Sequence, residues 1–363
     1  MKIRVLHVID HLGYGGAPFV VKNIVERVPA DRIESHVCAL RTNPRSVPID
    51  APMVNLHCRK YNPAAVRAIA RLARQRKIDI IHAHLQKAVI SSLLATSLCP
   101  SKLVVHEHGP IFRGGTGCIY RRLLWLLAPR ADAIIANSQA TRSAVQSALH
   151  GREVPVMVVY NFIDLDRFDP ARHERHAARR SLGFEVDQFV VGFVGRLDRA
   201  KGADLLVDAA VVLREEDCPC SFFLVGDGPE KKRLECRIHK LGLDHMVVLA
   251  GLRDDPAAVM RAFDAAVVPS RREAFGIAAL ELMRMKVPVI VSPVGGLPEL
   301  VRQGQTGIVL ARLDAQEIAG AIRRLVRDKD LREQLAASAF EFAGSFNGAG
   351  QLEQIVTLYE RLA

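Results

Sequence analysis

The segment Val191-Gly192-Phe193-Val194-Gly195-Arg196-Leu197-Asp198-Arg199-Ala200-Lys201-Gly202 decides the fold. A β-branched and aromatic run ends in a glycine, two cations five residues apart follow, and a helical pattern starts behind Gly202. This is a strand-to-helix junction of the kind that places ligands outside the carboxyl ends of a parallel sheet. Arginine grips two phosphate oxygens at once and lysine adds a point charge, so Arg196 and Lys201 suit a phosphate group. A surface salt bridge to Asp198 is the other use of these cations.

On either side, short apolar segments alternate with helical ones. Ile3–Ile9, His36–Leu40, Ile78–His82, Leu103–His106 and Ala133–Ala136 read as strands in the first half, with Ala64–Gln75 and Gln86–Leu98 as helices. Phe189–Val194, Ser221–Val225, Val247–Leu249, Ala265–Val268 and Val287–Val291 read as strands in the second. Such alternation predicts parallel βαβ units. The 363 residues suffice for two domains, each large enough to bury a core. The expected division is 1–168, 169–345 and a last helical segment, 346–363, that crosses back to the first domain. The fold class is therefore α/β, with two doubly wound Rossmann-like domains facing a central cleft.

Composition excludes several classes. The chain is 49% hydrophobic and 25% charged, which rules out disorder and fibrous repeats. No segment approaches the roughly 20 apolar residues of a membrane span. The alternating start, Met1 to Val8, does not read as a signal peptide, so a cytoplasmic location is expected. The seven cysteines are odd in number and scattered, which suits free thiols in a reducing compartment and gives no metal site. Residues 1–150 carry 21 Lys+Arg against 8 Asp+Glu, and the remainder 29 against 31. A basic first half admits nucleic acid, an anionic membrane surface or a phosphorylated substrate as partner.

Three further segments carry chemistry. Gly13-Tyr14-Gly15-Gly16-Ala17-Pro18 follows the first strand and opens a helix. It serves either as a bare tight turn or as a close approach of backbone amides to an anion. Pro18 stands where the dinucleotide fingerprint needs its third glycine, and no acidic residue ends the second strand at Leu40-Arg41, which disfavours a nicotinamide oxidoreductase. Pro269-Ser270-Arg271-Arg272-Glu273-Ala274-Phe275-Gly276-Ile277-Ala278-Ala279-Leu280-Glu281 places two carboxylates eight residues apart around a glycine. With a helix starting near Gly276, Glu273 lies in the loop and Glu281 on the second turn, while amides at Phe275, Gly276 and Ile277 face an anion. Arg271 and Arg272 either meet a charged ligand or are solvated. Ser292-Pro293-Val294-Gly295-Gly296-Leu297-Pro298-Glu299 is one more glycine pair between strand and helix, and Glu299 alone reads as a first-turn helix acid.

Together with Gly226-Asp227-Gly228-Pro229, these segments resemble glycosyltransferase family 4, of GT-B fold, over nearly the whole chain. The glutamates flanking Phe275-Gly276 are the most specific part. The resemblance implies a retaining hexosyl transfer from a nucleotide-sugar, UDP before GDP, to a glycan, lipid-linked or small-molecule acceptor, without cofactor or metal. It implies Arg196 and Lys201 on the diphosphate, Glu281 on the ribose hydroxyls, and Glu273 on the donor sugar with Ala274, Phe275, Gly276 and Ile277. It adds Gly195, Asp227 and Leu252 to the donor site, Gly15 and Gly16 over the phosphates, and His108 near the sugar, so that His108, Glu273, Arg196 and Lys201 form the catalytic set. Where many relatives carry Asn-Gly-Val-Asp, this chain has Asn161-Phe162-Ile163-Asp164.

The other histidines, His82-Ala83-His84 and His106-Glu107, fit packing or acceptor contacts. Each His-x-His pair lacks a third ligand, so no metal is expected. Arg67, Arg71, Arg74, Arg76 and Lys77 fall on one amphipathic helix, and Tyr120-Arg121-Arg122-Leu123-Leu124-Trp125-Leu126-Leu127 is basic and apolar. Either suits the inner face of a membrane, with Leu123, Leu124, Leu126 and Leu127 facing the core as the alternative. A nucleotide-sugar epimerase of the same architecture, or a nucleic-acid-binding protein, is the alternative function. No nucleic-acid motif supports the latter, and nucleic acid is not an expected partner.

Overall fold

A computed structural model of the protein describes residues 2–58, 62–109 and 116–363. The chain divides into two units, Met1–Phe162 with Gly348–Ala363, and Ile163–Asn347. The division falls at the Phe162-Ile163 bond, and the closing helix Ala349–Leu362 belongs to the first unit.

Among the described residues the first unit holds β1 (Ile3–Ile9), β2 (Ile33–Ala39), β3 (Met53–Asn55), β4 (Ile80–His84), β5 (Lys102–Glu107), β6 (Ala133–Ala136) and β7 (Val156–Val158). The sheet runs β3-β2-β1-β4-β5-β6-β7, with every pairing parallel. The second unit holds β8 (Val190–Val194), β9 (Ser221–Val225), β10 (Val247–Gly251), β11 (Ala265–Val268), β12 (Val289–Val291) and β13 (Ile308–Val309). Its order is β10-β9-β8-β11-β12-β13, again parallel. Both sheets are thus doubly wound, and their strand order reverses between β1 and β4 and between β8 and β11. Those switch points are where such sheets leave an opening for a ligand.

Central strands are buried on both faces, which is why Val5–Ile9, Ile80–His84 and Ala265–Val268 are continuous apolar runs broken only by histidine. One face of the first sheet packs Leu6, Val8, Ile81, Ala83, Leu103 and Val105 against the helices Ala64–Gln75 and Gln86–Ala95. In the second unit Val191, Phe193, Leu224 and Val267 pack with Leu206, Ala210 and Ile322. One polar network ties the start of the second unit together. Asp264 accepts from Arg175 at 2.7 Å, from Arg179 at 2.9 Å and from the Val190 amide at 2.9 Å.

β3, β7 and β13, of two or three residues each, are not signalled by periodicity. The basic helix has the predicted bounds, Ala64–Gln75, but Arg76 only caps it and Lys77 turns left-handed with φ 50°, so these two cations lie beyond it. Only Arg67, Arg71 and Arg74 therefore share the helix, all exposed, while Ile69, Ala70 and Ala73 face the core. In the helix Thr116–Leu127, Leu124 and Leu127 are buried. Leu126 is not a core residue at 55% exposure, and Ile119 at 63% and Trp125 at 38% face outward with it. All seven cysteines are free thiols. No described helix is long and apolar enough to cross a membrane.

Candidate functional site

In the second unit the site builds from the carboxyl ends of β8 and β11. Beyond β8, the turn from Gly195 is closed by the Lys201 amide, which donates to the Asp198 carbonyl and carboxylate, both at 3.1 Å. This turn delivers Lys201 toward the loop after β11. There its ammonium donates to Glu273 Oε2 at 2.6 Å, and the Ser270 hydroxyl donates to the same oxygen at 3.1 Å. The structure thus brings Lys201 and Glu273, the predicted phosphate cation and sugar carboxylate, together in an ion pair at the switch point. Arg196 is exposed, with Nε 3.5 Å from Asp198. Arg271 does not reach outward: it grips Asp204 with two hydrogen bonds, of 2.6 and 2.7 Å, and so braces the loop.

Two glycines explain how four loops converge. Gly226, φ +146°, follows β9, and a Cβ there would stand 1.8 Å from the Gly195 carbonyl oxygen. Gly295, φ +57°, follows β12, and a Cβ there would stand 1.7 Å from the Glu273 carbonyl oxygen. Backbone therefore packs on backbone, which no side chain permits. Asp227 is exposed, and its carboxylate accepts from the Gly228 amide at 2.8 Å. Leu252 is exposed just after β10, two strands from β8 in the sheet order.

The helix Ile277–Arg284 starts from a left-handed Gly276, and its first amides bonded within the helix are those of Ala279 and Leu280. The Ile277 and Ala278 amides precede that ladder, at the positive end of the helix. Ala274 and Phe275 are buried beneath. Glu281 sits on the second turn, partly buried, and burial pushes its carboxyl up to about 8 against the opposing pull of Arg167. Arg167 was not singled out from sequence. It lies far from Glu281 in the chain, and no local pattern marks it.

In the first unit, the β1/β4 switch point is braced by buried Asp10, which accepts from the Ala88 amide at 2.7 Å and so caps the helix Gln86–Ala95. Gly15 precedes the helix Gly16–Arg27 in extended conformation, and both glycines are exposed. A Cβ on Gly15 would meet nothing closer than 3.9 Å, so packing does not require this glycine. Room at a helix N-terminus is what an approaching anion needs.

Five imidazoles crowd one face of the same sheet: His7 on β1, His82 and His84 on β4, His106 on β5, and His108 just beyond it. The register sets His7 beside His82 and His84 beside His106. His7 Nδ1 lies 3.2 Å from His84 Nε2, and His84 Nδ1 lies 2.9 Å from His108 Nε2. His82 Nδ1 meets the Tyr359 hydroxyl at 2.6 Å. Burial lowers all five basicities, that of His7 and His108 to about 3, so the rings are neutral. Glu107 faces the other way, accepts from Tyr120, and is pushed up to about 7 by burial. Sequence reasoning paired His82 with His84 and His106 with His108, but could not join the pairs or add His7. Only the strand order does that.

Nearby, a cavity of about 740 Å³ is lined by Leu40, Val66, Ile90, Leu94, Ile119 and Leu123, with Arg41, Lys87 and Asp10 also on its wall.

Comparison with known proteins matches both units. Residues 14–167 match the family model described as Glycosyltransferase Family 4, and residues 174–342 the model described as Glycosyl transferases group 1. Among solved structures, Anabaena HepE in complex with UDP superposes with a TM-score of 0.83 at 27% identity, covering 99% of this chain and 100% of that one. Among curated sequences, the D-inositol 3-phosphate glycosyltransferase of Actinosynnema mirum is 35% identical over 63% of this chain and 57% of its own. The chain thus spans under two thirds of the length of that relative. An uncharacterised glycosyltransferase of Methanocaldococcus jannaschii is 27% identical over 96% of this chain and 95% of its own.

Proposed function

The chain belongs to glycosyltransferase family 4, and from that premise we propose that it transfers a hexosyl group from a UDP-sugar to an acceptor hydroxyl with retention of anomeric configuration. The observation that carries the reading is the Lys201–Glu273 pair at the β8/β11 switch point, beside the N-terminus of the helix that bears Glu281. HepE, a structural neighbour, is described in complex with UDP and with UDP-glucose.

Charge sets the roles. As the bond between sugar and diphosphate breaks, negative charge gathers on the leaving diphosphate and positive charge on the sugar ring. Lys201, Arg196 and the amides of Ile277 and Ala278 stabilise the first. Glu273, freed from Lys201 by the arriving phosphate, accepts from hydroxyls of the donor sugar. Glu281 accepts from the ribose diol. His108, neutral at physiological pH, is the fourth member of the catalytic set, as a hydrogen-bond partner for the sugar rather than a cation. Gly195, Asp227, Leu252, Ala274, Phe275, Gly276, Gly15 and Gly16 complete the donor contacts. The chemistry requires no metal.

The acceptor belongs to the first unit. Its cavity, apolar with Arg41 and Lys87 on the wall, suits an acceptor with an apolar portion and an anionic group, as a lipid-linked glycan has. Ile119, Trp125 and Leu126 turned outward beside exposed Arg122 favour contact with an anionic bilayer from the cytoplasmic side. Co-sedimentation with anionic liposomes at low salt tests this contact, and wild-type protein left wholly in the supernatant would refute it.

The deciding experiment follows UDP release from UDP-sugars supplied with lipid-linked and soluble acceptors. Lys201→Ala should lower kcat by about 10²–10³, as loss of one stabiliser of the leaving charge does. Activity near the wild-type level in this variant would sink the assignment. An epimerase would instead return an altered nucleotide-sugar without acceptor.

A further inference from the structure

The imidazole cluster has more ligand capacity than its hydrogen bonds use. His106 is buried, and neither of its ring nitrogens has a hydrogen-bond partner among the described residues. His108 Nδ1 is likewise buried and unpartnered, although its Nε2 faces His84. A neutral imidazole carries one N–H and one lone pair, and leaving both unmet in an interior is costly. The His106 ring lies against His108, with centroids 4.1 Å apart, and 5.5 Å from His84. One nitrogen from each of His84, His106 and His108 falls within a sphere where all three lie within 4.8 Å of one another.

We propose that His84, His106 and His108 form a binding site for one divalent late transition-metal ion, of the Zn2+ or Co2+ class, with a fourth coordination position left open. Three imidazoles and no carboxylate favour such an ion over Mg2+ or Ca2+, which require oxygen. Zinc–nitrogen bonds of about 2.0–2.1 Å put tetrahedral ligand nitrogens roughly 3.3 Å apart, so the rings must close by an ångström or so. His84 and His108 already present nitrogens at 2.9 Å, and rotation of His106 supplies the remainder. The rings are held neutral by burial, the form in which imidazole binds metal. His108 is the half-buried member and provides the entry route. His7, His82 and His84 also lie within the same distance. All three rings of that triad are fully buried, and His82 already engages Tyr359. A bound ion occupies the lone pair that His108 would offer to a sugar, so loading opposes transfer; the site itself does not depend on the transferase reading.

The test uses the untagged full chain, stripped with chelator and titrated with Co2+, with visible absorption and metal content as readouts. The expected result is one ion per chain with the intense bands of tetrahedral Co2+. His106→Ala and His108→Ala should each weaken binding by at least about tenfold, and His7→Ala, which removes only the hydrogen-bond partner of the His84 ring, should weaken it less than either. Two variants at separate ligands keep the result interpretable if one fails to fold, and cooperative thermal unfolding of each variant reports folding independently. Wild-type protein that binds no Co2+, or variants at both 106 and 108 that bind as wild type does, would overturn the proposal. Loss of binding in His7→Ala with retention in His108→Ala would overturn it too.

Discussion

With the Glu281 carboxyl pushed up to about 8 by burial, the proposed ribose contact makes nucleotide binding pH-dependent. Glu281 is protonated at pH 6.5, whereas the ribose diol donates two hydrogen bonds and selects a carboxylate that accepts both. With a free-state value of about 8, the group is about 3% ionised at pH 6.5 and about three-quarters ionised at pH 8.5. If the complex is fully ionised, UDP affinity rises about 25-fold across that range, or about 2 kcal/mol, and levels off above it. The sign is fixed by the direction of the shift: binding expels a proton below pH 8, so raising pH helps binding. Calorimetric titration at several pH values, in buffers of different ionisation enthalpy, reads both the affinity and the released proton. UDP's own phosphate titrates in the lower part of this window, and Glu281→Gln separates the two, because it keeps a hydrogen-bonding side chain and removes the ionisable one. The variant's residual pH dependence belongs to the phosphate. A wild-type affinity with the same pH profile as Glu281→Gln would refute the ribose role of Glu281.

Other outcomes follow from the packing. Gly295→Ala puts a Cβ 1.7 Å from the Glu273 carbonyl oxygen at a left-handed φ. It should displace Glu273, weaken UDP-sugar binding about tenfold or more, and lower Tm by several degrees; unchanged melting and binding would contradict the backbone contact. Asp264→Ala leaves Arg179 buried without its carboxylate, and urea unfolding should show a loss of about 3–5 kcal/mol. A loss under about 1 kcal/mol would mean that the network is solvated. Arg271→Ala should cost about 1 kcal/mol of stability through its bond to Asp204 while leaving UDP affinity within about threefold; a large affinity loss would return Arg271 to the ligand.

The doubly wound architecture was legible because buried parallel strands must be apolar throughout. β1, β6, β9 and β11 stand where their apolar runs stand. β3, β7 and β13, of two or three residues, escaped because they leave too little pattern, whereas β12, equally short, lies inside the longer apolar run Val287–Val291. The candidate donor-side segments, Gly195 to Lys201 in one loop and Glu273 to Glu281 in another, could be proposed from sequence because strand-to-helix loops keep their residues close in the chain. Arg167 beside Glu281 and Asp204 beneath Arg271 were not legible, since each meets its partner only through tertiary packing. The imidazole cluster shows the same limit. Parity puts His82 and His84 on one face, but only the β1-β4-β5 neighbourhood adds His7, His106 and His108.

The central claim, a nucleoside diphosphate site at the β8/β11 switch point, is tested most directly by thermal shift of the wild-type chain against UDP, GDP, ADP, dTDP and NAD. At 100 times its dissociation constant a ligand adds about 2.7 kcal/mol, which raises Tm visibly. The account predicts a rise with UDP that is lost in Lys201→Ala. A rise with NAD alone, or with none of the five, would contradict it.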